Sequence, residues 1–549
     1  MNKAIIPRSR SIIPVLVVAA LVLTSAAWLR SAEYDEQYTL FVTAGPARPV
    51  WPAHAFAAGD VRTLQAGHPG VVAIAHELRT GDVHPPLYFW LLAAWRGAVG
   101  DGLFAARLAS VLCSLATLGV VAAIGRLTGL PARLAVLLTL GCYGFTYTGT
   151  IARGFALAQL LTVLGVALLL FAVQRRRVVS ALLGGTLLGA ATFTNYLSVF
   201  VGASALLWLM ARPFIANSTP VGNRPPLRET CRSIVPVSLR EAVGGGVRAT
   251  SSFRLAGTAC IGFAIWLPAD LWFFLAQRHS RVGQFAPFDA VSGAVLLGRY
   301  TAANLLGGLP RYLEGSLQSA TAIALALVLV GLLAMTIWQW RSIATPESRL
   351  LFAMAAVAPP IGLLLLGFAA NSTPIELRYL AYTTPFIGLL LSGVFATLPP
   401  RTGRTACSVL LAIQTVSLVG LMTRPETMQP ARATAAAAAS LAQGGVVLLP
   451  IGNDGVGIVG AFAIEAPPAL RLLVIDRDES PGEIRARAAD FPRVVLALLG
   501  QDADSRATLP AMRRAFAEPC WRAAGEGFNV LAFDQICGEA CPCSSMASH

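Results

Sequence analysis

The chain has 549 residues, 55% of them hydrophobic and 13% charged, with a mean hydropathy of +0.65. Soluble domains carry about 25% charged residues, so a soluble globular or disordered chain is excluded and a polytopic α-helical membrane protein is expected. The formal charge of +14 comes almost wholly from arginine, with Lys3 the single lysine. That excess reads first as topology, because Arg collects in cytoplasmic loops. No Arg run is interleaved with aromatics on a soluble module, which speaks against nucleic acid as a partner.

Lys3, Arg8 and Arg10 precede an apolar run from Ser11 to Trp28. A secretory signal shares the basic start but has an apolar stretch of about 7–15 residues. This run is closer to the roughly 20 needed to cross a bilayer, so residues 1–30 are expected to be an uncleaved first span with a cytoplasmic amino terminus. Residues 31–102 then form a first outer loop, broken by Pro46, Pro49, Pro52 and Pro69. A short helix is expected near Gly70–Leu78. A second one, from Pro85 to about Trp95, is aromatic and too short to span, so it should lie in the membrane interface.

From residue 103 to 422 the apolar runs continue, at about 103–124, 132–150, 155–173, 179–193, 198–210, 255–275, 316–340, 350–369, 380–398 and 405–422. Arg126, Arg175-Arg176-Arg177, Arg212, Arg341, and Arg401 with Arg404 mark the cytoplasmic ends. With the first span this makes about eleven crossings. The Gly-, Pro- and Arg-rich segment 212–254 is expected to be a cytoplasmic tether that also meets anionic lipid, and 276–315 a second outer loop with a helical stretch at Asp289–Leu306. An odd number of spans leaves residues 423–549 outside. There an Ala-rich helix (Ala431–Gln443), apolar runs at Val446–Pro450, Leu470–Ile475 and Val494–Leu499, a helix near Leu509–Phe516 and a run at Asn529–Phe533 read as a small α/β domain. Of nine cysteines, Cys520, Cys537, Cys541 and Cys543 gather at the end. Two disulfides are the simplest use of them in an oxidising compartment, with a terminal metal site as the other reading.

Acidic residues are scarce, yet Glu33, Asp35 and Glu36 open the first outer loop and Asp82 closes it. Ionisable groups at membrane depth are costly and tend to be functional. Asp35 or Glu36 suits the role of proton acceptor, although neighbours on a helix point about 100° apart, so one of the two is expected to face a site. Asp82 is a second candidate acid, and His84 a hydrogen-bonding group beside it. The ordinary readings are solvated loop acids, a helix cap and an interfacial polar residue. Arg153 and Arg378 begin spans at the outer face, where positive-inside placement does not explain them, and Arg299 and Arg311 of the second outer loop are further candidates for phosphate. Arg suits phosphate because its planar fork donates two parallel hydrogen bonds; snorkelling is the alternative. Tyr88, Tyr196, Tyr300 and Tyr379 place aromatic rings with a donor at headgroup depth, fit for sugar contact or for anchoring.

The order of Asp35-Glu36, His84-Pro85-Pro86-Leu87-Tyr88 with Arg107, Ala152-Arg153-Gly154-Phe155, Thr194-Asn195-Tyr196 and Arg378-Tyr379-Leu380 between spans resembles the GT-C class of membrane glycosyltransferases. The likeness is to family 39, the protein O-mannosyltransferase-like enzymes with the related lipid A aminoarabinose transferases, over residues 10–420. It implies a polytopic helical fold in a bacterial inner membrane and a polyprenyl-phosphate-linked sugar as donor. It also implies inverting transfer with Asp35 as base, and carrier phosphate held by Arg378 and Arg153 beside Tyr379. A divalent metal is compatible with such chemistry but nothing in the sequence points to one. Membrane lipids and the lipid-linked donor are the expected partners; the acceptor and the oligomeric state are not legible. The competing readings are a lipid-linked sugar flippase, which predicts charges along the middles of spans, and an O-antigen polymerase or ligase, which predicts a large late outer loop.

Overall fold

The computed structural model describes residues 11–217, 252–278, 286–308, 310, 313, 315–423, 429–500, 502–517 and 519–536. Most of the expected tether at 212–254, Arg311, and Cys537, Cys541 and Cys543 lie outside the described residues. Cys520 is disulfide-bonded.

Helix α1 (Ile13–Leu29) ends at Arg30, where the chain turns by 87° into α2 (Tyr34–Ala44). The bend is filled by ion pairs. Arg30, fully buried, pairs with Glu33 and donates to the Tyr147 carbonyl at 2.8 Å and Thr150 Oγ1 at 3.0 Å. Glu36 accepts the Glu33 N–H at 3.0 Å, satisfying one of the free donors at the start of α2. The segment expected to be the first outer loop continues through α3 (Ala58–Leu64) and α4 (Val71–Gly81) to α5 (Leu87–Val99), the helix after Pro85-Pro86 expected to be interfacial. Arg96 of α5 is buried against α2, donating to the Leu40 carbonyl at 3.0 Å and Thr43 Oγ1 at 2.5 Å.

The membrane body follows. It comprises α6 (Leu103–Thr128), α7 (Ala132–Gly141), α8 (Tyr143–Gly149), α9 (Phe155–Arg175), α10 (Val178–Thr192), α11 (Val199–Asn217), α12 (Ser252–Ala264), α13 (Leu267–Gln277) and α14 (Ala290–Leu306). It continues with α15 (Gly315–Trp338), α16 (Pro346–Ala370), a 3-10 segment (Leu377–Thr383), α17 (Thr384–Thr397) and α18 (Pro400–Thr423). Helices α9 and α10 pack closely: a Cβ on Gly165 would lie 3.0 Å from the Gly184 carbonyl, the small-residue contact by which helices associate in lipid. Helix α15 shows the opposite surface: Leu325 and Leu332 are buried, while Leu317, Leu327, Val330 and Leu333 are exposed.

Among the described residues six helices are long and apolar enough to cross a bilayer, or eight if two bent pairs each count as one span. The other expected crossings fall on helices of 10–17 residues: Ala132–Gly141, Val178–Thr192 and Tyr196–Arg212. The run expected to be continuous at 132–150 is not. It breaks at Cys142, whose backbone is extended (φ −61°, ψ 119°), and Thr146 Oγ1 takes up the freed Leu140 carbonyl at 2.8 Å.

The chain ends in a six-stranded sheet of order β1-β3-β2-β4-β6-β5. Its parallel core is β2 (Val446–Pro450), β3 (Arg471–Ile475) and β4 (Arg493–Ala497); β5 (Trp521–Gly527) and β6 (Val530–Gln535) add an antiparallel edge. Every residue of β2 is buried, as its unbroken Val-Val-Leu-Leu run requires of a central parallel strand. Helices α19 (Ala431–Ala442), α20 (Gly457–Glu465), α21 (Pro481–Ala488) and α22 (Ala503–Ala515) complete the module. Helices α20 and α21 and strand β5 are not among the expected elements, although α20 is itself an apolar run. The sixth strand, β1 (Phe56–Ala57), comes from the first outer loop and pairs antiparallel with β3. One apolar cluster accordingly runs from Phe41 and Val61 of the loop to Val447, Phe462 and Val495 of the module.

Candidate active site

Helix α2 divides its side chains by helical spacing. Residues three and four apart share a face, so Asp35, Tyr38, Thr39 and Val42 form one face, and Glu36, Leu40 and Thr43 another. On the second face Glu36 is fully buried and takes four donors: Arg107 Nε at 2.8 Å, Arg107 Nη2 at 2.5 Å, the Ala152 N–H at 2.8 Å and the Glu33 N–H at 3.0 Å. Burial pushes the Glu36 carboxyl up, but Arg107 and the Ala152 N–H outweigh it and hold the group below the usual carboxylate range. Arg107 also donates to the Ala27, Arg30 and Ser31 carbonyls at the end of α1. Of the two neighbouring acids, Glu36 is therefore engaged on every side in holding the bend.

Asp35 points the other way and forms an ion pair with Arg378. Arg378 also pairs with Glu376 at 2.5 Å and lies over the Tyr379 ring, 5.4 Å from its centre. Its 3-10 segment is anchored from both sides: Gln159 Nε2 donates to the Ala381 carbonyl at 2.7 Å, and Asn304 Nδ2 to the Leu380 carbonyl at 3.1 Å. Phe155 packs between Tyr379 and Tyr382, with ring centres 6.5 and 6.4 Å away.

Arg153 approaches the same face of α2. Its Nη1 donates to Thr39 Oγ1 at 3.0 Å and its guanidinium lies 5.9 Å from the Tyr38 ring centre. It is 4% exposed, and among the described residues no carboxylate pairs with it. A buried cation without an anion is costly. The local turn is tight: a Cβ on Gly154 would meet Tyr88 Cβ at 3.3 Å. Tyr88 is thus buried packing beneath Arg153.

Asp82 reaches the cluster from the far end of the loop as the cap of α4. Its carboxylate bonds His84 Nδ1 at 3.1 Å. Burial, then the Asp82 charge, push the Tyr38 phenol up, while Arg48 and Arg153 oppose them. Gln277 joins His84 to Tyr196: its Nε2 donates to the His84 carbonyl at 3.1 Å, and its Oε1 accepts from Tyr196 Oη at 2.9 Å. Tyr300 sits elsewhere. With Arg299 it lines a mostly apolar groove of about 710 Å³ between α14 and α15, whose walls include Val295, Ala303, Leu329 and Val330.

Tyr38, Thr39, Glu376 and Gln277 were not singled out from the sequence. The first two follow from Asp35 at helical spacing once α2 is known to start at Tyr34; Glu376 and Gln277 carry no local signal. Among the described residues no group of three or more His, Cys, Asp or Glu is placed to hold a metal ion.

Comparison with known proteins gives the class first. The chain aligns with ArnT from Cupriavidus metallidurans in the apo state over 95% of its own length and 97% of that chain, at 12% identity and TM-score 0.50. The same protein bound to undecaprenyl phosphate aligns at TM-score 0.49, with 12% identity and the same coverage. The apo oligosaccharyltransferase of Archaeoglobus fulgidus aligns over 89% of this chain and 70% of that one, at 13% identity and TM-score 0.44. The protein has the GT-C glycosyltransferase fold, as its sequence resemblance implied. More particularly, residues 83–221 match the family described as dolichyl-phosphate-mannose-protein mannosyltransferase. No curated protein matches the chain.

Proposed function

We propose that this protein is an inverting glycosyltransferase of the bacterial inner membrane. It moves a sugar from a polyprenyl-phosphate carrier to an envelope acceptor (lipid, glycan or protein) at the outer face. The observation that carries this reading is the convergence of Asp35, Arg378 and Arg153 on one face of α2, where the first span meets the outer loop. The acceptor hydroxyl gives its proton to the Asp35 carboxylate as its oxygen bonds the anomeric carbon. The bond from that carbon to the phosphate oxygen breaks, and its electron pair leaves with the polyprenyl phosphate. The two guanidiniums stabilise the charge that develops there. A donor phosphate brought to Arg378 competes with Asp35 for the guanidinium, and the carboxylate it releases is the stronger base. Glu376 keeps Arg378 in place during the exchange. The apolar groove between α14 and α15 suits a prenyl tail, and Asn304 of α14 ties its wall to the segment bearing Arg378. Asp82, His84 and Tyr196, linked through Gln277, form the polar wall offered to the acceptor.

The test is transfer from a set of polyprenyl-phosphate sugars by the purified protein in vesicles, with envelope glycans profiled by mass spectrometry in cells with and without the gene. Asp35→Asn is expected to lower turnover by at least the 10²–10⁴-fold typical of a lost general base, here taken as roughly three orders of magnitude, with normal membrane insertion. Turnover like the wild type by that variant removes Asp35 as base.

A further inference from the structure

The C-terminal module grips the chain at the point where Asp35 is set. Arg432, in the first turn of α19, donates to the last carbonyls around the end of α1: Leu29 at 2.9 Å and Arg30 at 3.0 Å. Its Nε pairs with Glu465 Oε2 at 2.8 Å, and the other oxygen of Glu465, at the end of α20, accepts the Ala32 N–H at 2.7 Å. One ion pair from the module thus brackets the bend from residue 29 to residue 32, three residues before Asp35. A second grip lies on α2 itself. Tyr34 Oη donates to Asn453 Oδ1 at 2.6 Å, from the turn between β2 and α20. The N-terminal half of α20 lies directly on α2. A Cβ on Gly457 would stand 2.4 Å from Tyr34 Cε2, and one on Gly460 would stand 2.7 Å from Gln37 Oε1. Tyr34 and Gln37 share the face of α2 that the module covers, which leaves Asp35 and Tyr38 directed at Arg378 and Arg153.

We infer that the module is a positioning element for the proton acceptor: Arg432, Glu465, Asn453 and Gly457 hold the α1–α2 bend so that Asp35 meets the acceptor and the donor carbon together. This rests on the reading of Asp35 as the base. The physical expectation is sharp because geometry is costly to lose: a displacement of about 1 Å can remove on the order of 100-fold in rate. Ordinary carbon contacts begin near 3.4 Å, so a methyl at Gly457 must move Tyr34 or α20 by roughly that amount.

The test compares Gly457→Ala, Tyr34→Phe and the pair Arg432→Ala and Arg432→Lys in the full-length protein. Arg477→Ala, which breaks the exposed Arg477–Asp504 pair on the same module, serves as control. Gly457→Ala is expected to lower kcat by about 10–100-fold while the KM for the polyprenyl-phosphate sugar stays within about two-fold. Tyr34→Phe should lose less, and Arg432→Lys should recover part of what Arg432→Ala loses. A second measurement does not need turnover: the rate at which a water-soluble carbodiimide modifies Asp35, mapped by mass spectrometry against exposed Glu526. That rate should rise in Gly457→Ala and Tyr34→Phe as Asp35 slips from Arg378, with Glu526 unchanged. Unaltered kcat and unaltered Asp35 labelling in these variants overturns the proposal, as does an equal loss of kcat in Arg477→Ala. If the wild type transfers no polyprenyl-phosphate sugar, the functional reading fails, and the labelling still decides whether the module sets Asp35.

Discussion

Replacing Glu36 by Gln separates the two adjacent acids, one holding the fold and one proposed for chemistry. Each Glu36 oxygen serves two donors: Oε1 takes Arg107 Nε and the Ala152 N–H, and Oε2 takes Arg107 Nη2 and the Glu33 N–H. A glutamine of the same shape keeps one acceptor, so whichever way it turns, its amide N–H₂ confronts two donors that no longer have an acceptor. Arg107, 2% exposed, also loses its counter-charge and keeps only the three carbonyls at the end of α1. Removing one partner of a buried pair costs about 3–5 kcal/mol, a fifth or more of a typical folding free energy of about 5–15 kcal/mol. We expect the midpoint of thermal aggregation in detergent, followed by size-exclusion chromatography, to fall by on the order of 3–4 °C. Asp35→Asn should leave that midpoint almost unchanged, because Arg378 retains Glu376, while abolishing transfer. The reasoning is refuted if Glu36→Gln melts like the wild type and yet has no activity, for Glu36 would then be a chemical group.

Arg153→Ala carries the opposite signature. If Arg153 holds the developing phosphate charge as proposed, its loss should lower kcat/KM by about 10²–10³-fold, while removal of a buried charge with no carboxylate partner among the described residues should not lower thermal stability; a parallel loss of both would make Arg153 a packing residue. In the C-terminal module, bonding to Arg493 at 2.6 and 3.0 Å holds the Asp534 carboxyl below its ordinary value. A depressed carboxyl contributes stability above its unfolded pKa of about 3.9 and loses it as pH falls through the folded value. Asp534→Asn should thus be slightly less stable than wild type at pH 7, by about 0–1 kcal/mol for so exposed a pair. The difference should vanish in strong acid when thermal midpoints are followed across pH; a constant difference would show that charge is not its source.

What the sequence disclosed follows from what each signal depends on. Apolar run length located the long helices, because a bilayer imposes one length on every helix that crosses it; of about eleven expected, six among the described residues meet that length, or eight with the two bent pairs. The short helix after Pro85-Pro86 was legible for the same reason in reverse, its aromatic run being too short to cross. Strands β2, β3 and β4 stood out as unbroken apolar runs, whereas β5, Trp521–Gly527, alternates exposed Arg522 and Glu526 with small residues and reads as loop. The break at Cys142 was invisible because the residues around it are as apolar as those of an unbroken helix; what allows it is Thr146, acting across the gap. Strand β1 has two residues, and its pairing with β3 links positions more than 400 apart, beyond the reach of any local pattern.

The site shows the same division at finer scale. Asp35 and Arg378 could be nominated because each is an ion at the end of an apolar run, which is a property of position along the chain. Which of Asp35 and Glu36 faces Arg378 depends instead on the rotation of α2 about its axis. That rotation is set by contacts remote in sequence: Arg107 and Ala152 drawing Glu36 inward, Arg96 holding Leu40 and Thr43, and α20 lying on Tyr34 and Gln37. A turn of about 100° along the helix exchanges neighbouring side chains, so the same two carboxylates on an unclamped α2 would not have separate duties. The buried Glu36–Arg107 pair costs desolvation, and hydrophobic residues of equal volume would hold a bend as well. Its retention beside the proposed base fits a need for a fixed rotation rather than for added stability, and this need is what the long-range contacts of α2 have in common.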